Sequence, residues 1–364
     1  VGAHRITTDE EDTMAVDQDR LDALMGRVID ELGAALGVGM MLIGERAGLW
    51  AALSGAGPLT SDELAARSGA DERYVREWLR GMAAAGYVEY SAADDRYAIS
   101  DEIAFAMADP EGPVVPGACQ VVLAALQGAP AVAERFATGE GIGWHEHSHD
   151  LFEGTERFFR PQYAMHLVDE WIPALDGVAD ALRRGARVAD VGCGHGASTI
   201  LMAQAFPLST FTGFDYHEPS VARARQAARA AGVDDRVAFE VARADAFPGS
   251  GYDLVAMFDC LHDMGDPTAA ARHVRGALAP DGTWMVVEPM AGDRVEDNLN
   301  PVGRIFYAAS TMICTPASLA QEGRAALGAQ AGEAALTEVA RAGGFSRVRR
   351  ATETPVNLVL EVRP

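Results

Sequence analysis

A chain of 364 residues with 49% hydrophobic and 23% charged residues has enough apolar material for two domains, each with its own core, and is not composed like a disordered chain. Its formal net charge of −23 argues against non-specific binding to nucleic acid or to anionic membranes, because both need basic side chains to neutralise phosphate. Cys119, Cys193, Cys260 and Cys314 lie far apart without a C-x-x-C pair, so neither a disulfide framework nor a zinc site is indicated, no metal is expected, and a cytoplasmic setting is.

Residues 1–13 carry no hydrophobic period and read as part of a mobile leader over 1–18, polar rather than signal-like. No apolar run approaches the roughly 18 residues of a membrane span. A first domain is expected over 19–110. Apolar residues recur at helical spacing over 21–53, with Gly37, Gly39 and Gly44 interrupting, which predicts two packed helices rather than one rod. Thr60 followed by Glu63 is a capping box, 68–70 a turn, 71–85 a second helix, and 86–90 with 96–99 a hairpin. Helix, turn, helix and hairpin in that order form a winged helix. Eight acidic residues and five arginines between Thr60 and Ser100 make a poor surface for a duplex, so a dimer-scaffolding role is preferred to DNA binding.

Residues 111–183 read as a helical linker and pocket segment. His145, His147 and His149 alternate, but the helical spacing of H-E-x-x-H is absent, so their loop is expected to be solvated or to line a pocket. A helix is expected to open at Phe158 and run to Leu182, presenting Tyr163 to a pocket.

The second domain, 184–364, opens with Ala189-Asp190-Val191-Gly192-Cys193-Gly194-His195-Gly196-Ala197-Ser198-Thr199, a buried strand that turns through three glycines into a helix. Glycine suits a turn this tight and lets a ligand lie against bare main chain, while the helix N-terminus offers free N–H groups. Gly192, Gly194 and Ala197 also satisfy the G-x-G-x-x-G/A dinucleotide pattern, whereas no Gly-Lys-Ser/Thr follows to make a phosphate loop. The strand 210–214 leads into Asp215 and Tyr216, where a carboxylate can accept hydrogen bonds from both ribose hydroxyls. A third strand, 237–242, leads to Asp245 and Ala246, and that carboxylate can accept from an adenine amino group. A fourth, 252–258, ends at Phe258 and runs into Asp259-Cys260-Leu261-His262-Asp263. A helix to Leu278, a turn at 279–282 and the strand 283–288 follow. An apolar helix-like segment, 301–319, is interposed before the helix 333–342 and two closing strands, 347–351 and 356–362. Such an insertion overhangs the carboxyl ends of the strands, which makes Phe306, Tyr307, Met312 and Ile313 candidates for an apolar acceptor pocket.

That ordered set of motifs, D-V-G-C-G-H-G, F-D-Y, A-D-A, F-D-C-L-H-D and L-A-P-D-G-T-W-M-V-V-E-P, resembles the class I S-adenosylmethionine-dependent methyltransferases. Within them the chain is most similar to the small-molecule enzymes of actinobacteria and plants that carry an N-terminal winged-helix dimerisation domain. The resemblance implies an α/β fold: a Rossmann-like seven-stranded methyltransferase domain behind a mainly α winged-helix domain. It further implies a homodimer joined through that domain, a small-molecule methyl acceptor, and S-adenosyl-L-methionine as cofactor with S-adenosyl-L-homocysteine as product. Asp190, Gly192, Cys193, Gly194, Gly196 and Thr199 are then expected to shape the cofactor cradle, Asp215 and Tyr216 to meet ribose, Asp245 and Ala246 adenine, and Phe258 and Asp259 the methionine end. Leu261-His262-Asp263-Met264 looks like the L-H-D-W of plant-type O-methyltransferases, which implies His262 as general base and Glu288 as the residue that orients it, while Asp263 reads as a helix cap or a solvated residue. Met264 in place of tryptophan and Cys193 and His195 in the first motif depart from that pattern. Methylation at oxygen is expected, with sulfur or nitrogen acceptors as the alternative. A metabolite-sensing winged-helix regulator and a nicotinamide enzyme are the rival readings.

Overall fold

The computed structural model describes residues 16–110, 112–113 and 115–364, so the leader expected over 1–13 lies outside the described residues. The chain divides into two compact units, Val1–Ser100 and Asp101–Pro364.

In the first unit the two helices expected over 21–53 are Gln18–Arg46, 29 residues long, and Leu49–Leu53, so the chain runs on as helix through Gly37, Gly39 and Gly44. Gly37 and Gly39 lower helix propensity without ending it, since a Cβ at either would meet open space. The break comes at Gly48, whose φ of +69° suits a residue without a Cβ. Gly44 acts by contact instead: a Cβ there would land on the Trp78 ring and within 2.6 Å of Trp50 Nε1. The two indoles pack edge to face at 4.7 Å and donate to the last turns of the helix, Trp50 to the Met41 carbonyl at 2.9 Å and Trp78 to the Met40 carbonyl at 2.8 Å. The capping box forms as expected, Thr60 Oγ1 accepting from Glu63 N at 3.2 Å and Glu63 Oε2 from Thr60 N at 2.9 Å. Helix Glu72–Ala84 buries Val75, Trp78, Leu79 and Met82, one stripe at helical spacing. A hairpin of β1 (Glu89–Ser91) and β2 (Arg96–Ala98) follows.

The second unit is built on a seven-stranded sheet of β3 (Arg187–Val191), β4 (Thr210–Asp215), β5 (Val237–Val241), β6 (Tyr252–Phe258), β7 (Leu278–Pro289), β8 (Arg347–Glu353) and β9 (Asn357–Arg363), in the order β5-β4-β3-β6-β7-β9-β8. Six of these strands run in one direction, and β9, between β7 and β8, runs opposite to them. The inner strands are apolar on both faces because each face is covered. Val188, Leu254, Ala256 and Met285 enter one core cluster, and Ala189, Val255, Trp284 and Val286 the other. The turn expected at 279–282 is an irregularity within β7, between the pairs Tyr252–Leu278 and Leu254–Thr283. Strand order reverses at β3 and β6, the place where open sheets of this kind leave a crevice beyond their carboxyl ends.

Helix Val115–Thr138 meets the length and apolarity of a membrane span by those measures alone, contrary to the sequence reading. It packs closely on helix His149–His166: a Cβ at Gly117 would approach Arg157 Cβ to 2.8 Å, and one at Gly154 the Val121 nitrogen to 2.9 Å. Buried Gln120 on this face donates to Asp150 Oδ1 at 2.8 Å and accepts from Arg157 Nη1 at 2.7 Å. The single helix expected from Phe158 to Leu182 is instead His149–His166, a π-helical turn Leu167–Trp171, a reversal at Gly177 with φ +72°, and Val178–Arg184. Residues 301–319 are helical throughout, with a π-helical turn Ser310–Cys314 just before Pro316, whose missing N–H cannot continue the regular ladder.

Candidate cofactor and acceptor site

A cavity of about 550 Å³ opens at the carboxyl ends of β3, β4 and β6. Its floor is the glycine turn after β3, where Gly192, Gly194 and Gly196 take φ of +78°, +51° and +83°. Each serves differently. A Cβ on Gly192 would come within 2.6 Å of Cys260 Sγ, and one on Gly196 within 2.5 Å of Phe239, whereas a Cβ on Gly194 would project into open space. Gly194 is therefore bare toward the cavity, and the other two are bare for packing.

Two carboxylates hold this turn. Asp190 Oδ2 accepts from the hydroxyls of Ser198 and Thr199, both at 2.6 Å, while its buried Oδ1 has no hydrogen-bond partner. Burial pushes the Asp190 carboxyl up to about 6, against the two hydroxyl donors. Asp215 accepts from Gly194 N at 2.9 Å and from His217 N at 2.8 Å, tying the turn to the end of β4. Asp215 is raised by burial and lowered by those N–H groups, with a net rise. Asp245 is engaged by Arg243 through Nε at 3.0 Å and Nη2 at 2.9 Å, which lowers its carboxyl.

At the end of β6, Asp259 adopts φ +50°, uncommon for a residue with a Cβ. It is fixed from both sides: Asn357 Nδ2 donates to Oδ1 at 2.9 Å and the Tyr163 hydroxyl to Oδ2 at 3.3 Å. Burial, with nearby Glu288, raises its carboxyl well above the ordinary range. His262 follows, 3% exposed, its Nδ1 hydrogen-bonded to Glu288 Oε2, while Glu288 Oε1 accepts from Leu261 N at 2.9 Å. Burial alone would lower the imidazole, but the carboxylates of Glu288 and Asp263 together lift it well above the usual histidine value.

Asp263 is neither a cap nor solvated. It is 8% exposed, and Oδ2 accepts from Trp144 Nε1 at 2.9 Å. The cap of the next helix is Asp266, accepting from Ala269 N at 2.8 Å.

Of the residues expected at the site, Gly192, Cys193, Gly194, Asp215, Tyr216, Asp245, Phe258, Asp259 and Tyr163 line the cavity. Asp190, Gly196, Thr199, Ala246, His262 and Glu288 stand outside its lining. Phe306, Tyr307 and Met312 are not brought to it either: Phe306 and Met312 pack against a cluster of Leu151, Ile313, Cys314 and Ala329, and the inserted segment meets the cavity through Ala317 and Ala320 and the adjoining Gln321 and Glu322. The sequence reading passed over Glu156, Phe152 and Asn357. Glu156 binds His195 Nδ1 at 2.7 Å, and Phe152 stacks on His217 at 4.5 Å. No short-range pattern announces these residues, because each partner lies 39, 65 or 98 positions away.

An Rv2258c-like winged HTH domain family matches residues 34–108, and a methyltransferase domain family matches residues 182–343. Segments of the chain are similar to 27-O-demethylrifamycin SV methyltransferase of Amycolatopsis mediterranei, 40% identical over 103 residues covering 28% of this chain and 38% of that one. They are also similar to the mitomycin biosynthesis 6-O-methyltransferase of Streptomyces lavendulae, 26% identical over 257 residues covering 65% and 70%. The structure of a putative O-methyltransferase from Nostoc punctiforme superposes with a TM-score of 0.71 at 20% identity, covering 93% of this chain and 98% of that one. Residues 182–343 thus form a methyltransferase domain, and the chain is an S-adenosylmethionine-dependent methyltransferase.

The cavity of this methyltransferase fits that cofactor. The glycine turn leaves open space above Gly194, where a Cβ would intrude. The sequence contains no lysine, and the one arginine lining the cavity among the described residues is paired with Asp245, so the site suits a nucleoside without phosphates. Phe258 adds an apolar wall, and Asp215 and Asp245 add acceptors for hydroxyl and amino groups.

Proposed function

We propose that this methyltransferase methylates a hydroxyl of a small molecule, with His262 as the group that takes the acceptor's proton and Glu288 as the group that holds its ring. The observation that carries this reading is the buried His262–Glu288 pair immediately after β6, beside the cavity. The names of the rifamycin and mitomycin relatives, both methylating oxygen, support it.

Gly192, Cys193 and Gly194 would hold the amino-acid part of S-adenosylmethionine with Phe258 and Asp259, Asp215 its ribose, and Asp245 its adenine. Asp190, Gly196 and Thr199 keep the turn in shape from behind. When bound, the cofactor supplies an electrophilic methyl group on a sulfonium. The residues of this chain do the rest: they align the acceptor, exclude water and take up a proton. Alignment alone is worth as much as roughly 7–11 kcal/mol, and a positioned base roughly 100- to 10,000-fold.

The subunits are proposed to pair through the first unit. Met25, Ile29, Leu32, Leu36 and Ile43 form an exposed apolar stripe along helix Gln18–Arg46 at spacings of three, four and seven residues, the pattern of a helix face covered by another helix. Four free cysteines suit a reducing, cytoplasmic setting.

Incubation with radiolabelled S-adenosylmethionine and a panel of phenols, amines and thiols tests the reading. Label in the ether product of a phenol is expected, and its loss in His262→Ala. Full turnover by His262→Ala on that phenol removes the base assignment, and label found only on amines or thiols removes methylation at oxygen.

A further inference from the structure

His195, which interrupts the glycines after β3, turns its side chain to the helix His149–His166, where its Nδ1 donates to Glu156 Oε2 at 2.7 Å. Arg223, on helix Glu218–Ala230, reaches the same oxygen at 3.4 Å. Both partners thus use Oε2. Among the described residues Oε1 of Glu156 accepts no hydrogen bond, yet it is not an enclosed atom, and Glu156 lines the cavity with 20% of its side chain exposed. Phe152, Glu156 and Tyr163 share one face of that helix at spacings of four and seven residues, and they meet the ends of β4, β3 and β6 in turn, through His217, His195 and Asp259. Glu156 therefore stands over the glycine turn.

We propose that Glu156 is a cofactor-binding residue whose Oε1 accepts a hydrogen bond from the α-ammonium of S-adenosylmethionine, and that His195 is the positioning residue that holds this carboxylate in place. This rests on the placement of the amino-acid part at the glycine turn, and it adds the charged partner that placement lacks. The other carboxylates lining the cavity are engaged elsewhere. Asp215 accepts from two N–H groups, Asp245 is paired with Arg243, and Asp266 caps a helix. The oxygens of Asp259 are taken by Asn357 and Tyr163, those of Asp263 by His262 and Trp144, and Glu322 stands against Gly265, beyond β6.

Charge distinguishes Glu156 from Asp259, the other carboxyl near that end of the cofactor. Burial raises Asp259 well above the ordinary range and so favours its uncharged form. Burial would raise Glu156 too, but its bond to His195, helped by Arg223 and Arg160, outweighs this and lowers it. An ionised acceptor makes the stronger bond to an ammonium, and the same charge turns the cofactor's own carboxylate away, which fixes the orientation of the amino-acid part.

Calorimetric titration of the full-length enzyme with S-adenosylhomocysteine, and with the analogue in which hydrogen replaces the α-amino group, tests the assignment. Wild type is expected to prefer S-adenosylhomocysteine by roughly 10- to 100-fold. Glu156→Gln has one acceptor oxygen, which His195 takes, and turns an amide N–H group toward the ammonium, so the preference should fall to within about threefold while the analogue binds as it does to wild type. His195→Ala should lose part of the preference, and His195→Asn, whose amide can donate to Glu156, should restore it. Equal binding of the two probes by wild type overturns the assignment whether or not the variants fold. So does an undiminished preference in Glu156→Gln, or a loss in that variant that is the same for both probes. Wild type that binds neither probe overturns the placement of the cofactor at the glycine turn as well, whereas equal binding of both leaves that placement standing and removes Glu156 alone.

Discussion

Asp190 shows how a single buried carboxyl shapes both the site and its stability. Its folded value of about 6 stands above the ordinary 3.8, so the fold favours the protonated form. That contribution is fully present below about pH 4 and is lost as pH rises through about 6, a change of up to about 3 kcal/mol. Asp190→Asn cannot ionise and should therefore gain on wild type, by up to that amount, between pH 4 and pH 7.5. Urea unfolding at the two pH values checks it, and parallel changes in both proteins would show that Asp190 is not the titrating group. His262 gives the complementary expectation for activity. Its raised pKa keeps the ring protonated, and unable to accept a proton, until pH exceeds the usual histidine value. The acidic limb of kcat should lie above 6.5, and a limb at or below that value contradicts the assignment. Asp215→Ala removes both the proposed ribose acceptor and the tether of the glycine turn, so calorimetry should show most S-adenosylhomocysteine affinity gone; undiminished binding would refute the assignment.

Among the elements, the strand-turn-helix at β3 separates two uses of glycine that look identical in sequence. Gly194→Ala meets open space and should leave unfolding within about 1 kcal/mol, the cost of its positive φ, while weakening cofactor binding. Gly196→Ala meets Phe239 at 2.5 Å as well as an unfavourable φ and should destabilise by about 1–3 kcal/mol. Thermal melts and cofactor titrations on the pair distinguish the roles; equal destabilisation would remove the distinction. Segments read by local chemistry emerged well: the capping box at Thr60, the strands bearing Asp215 and Phe258, and the helix after Asp266. Boundaries failed where glycine or proline has more than one outcome. Gly37 and Gly39 sit inside a continuous helix, whereas Gly48 and Gly177 end one, and the difference lies in whether packing demands a positive φ.

At the scale of the molecule, the proposed pairing of subunits rests on the apolar stripe along helix Gln18–Arg46. Leu32→Glu with Leu36→Glu should convert a dimer to a monomer in light scattering while the melt of the second unit is retained. A wild-type monomer at micromolar concentration, or a dimer unaffected by both changes, removes this face as the interface.

The order of strands, the glycine turn after β3 and the carboxylates following β4 and β6 were written in the sequence, because short-range sterics and hydrophobic period act within a few residues. Which side chain meets the cavity was decided only in three dimensions. Asp263 rather than its neighbour His262 reaches the wall, Ala317 and Ala320 rather than Phe306 and Met312 represent the inserted helix, and Asn357 arrives from β9 to hold Asp259. A helical or strand period says which residues share a face; only long-range packing chooses the face that the cavity receives.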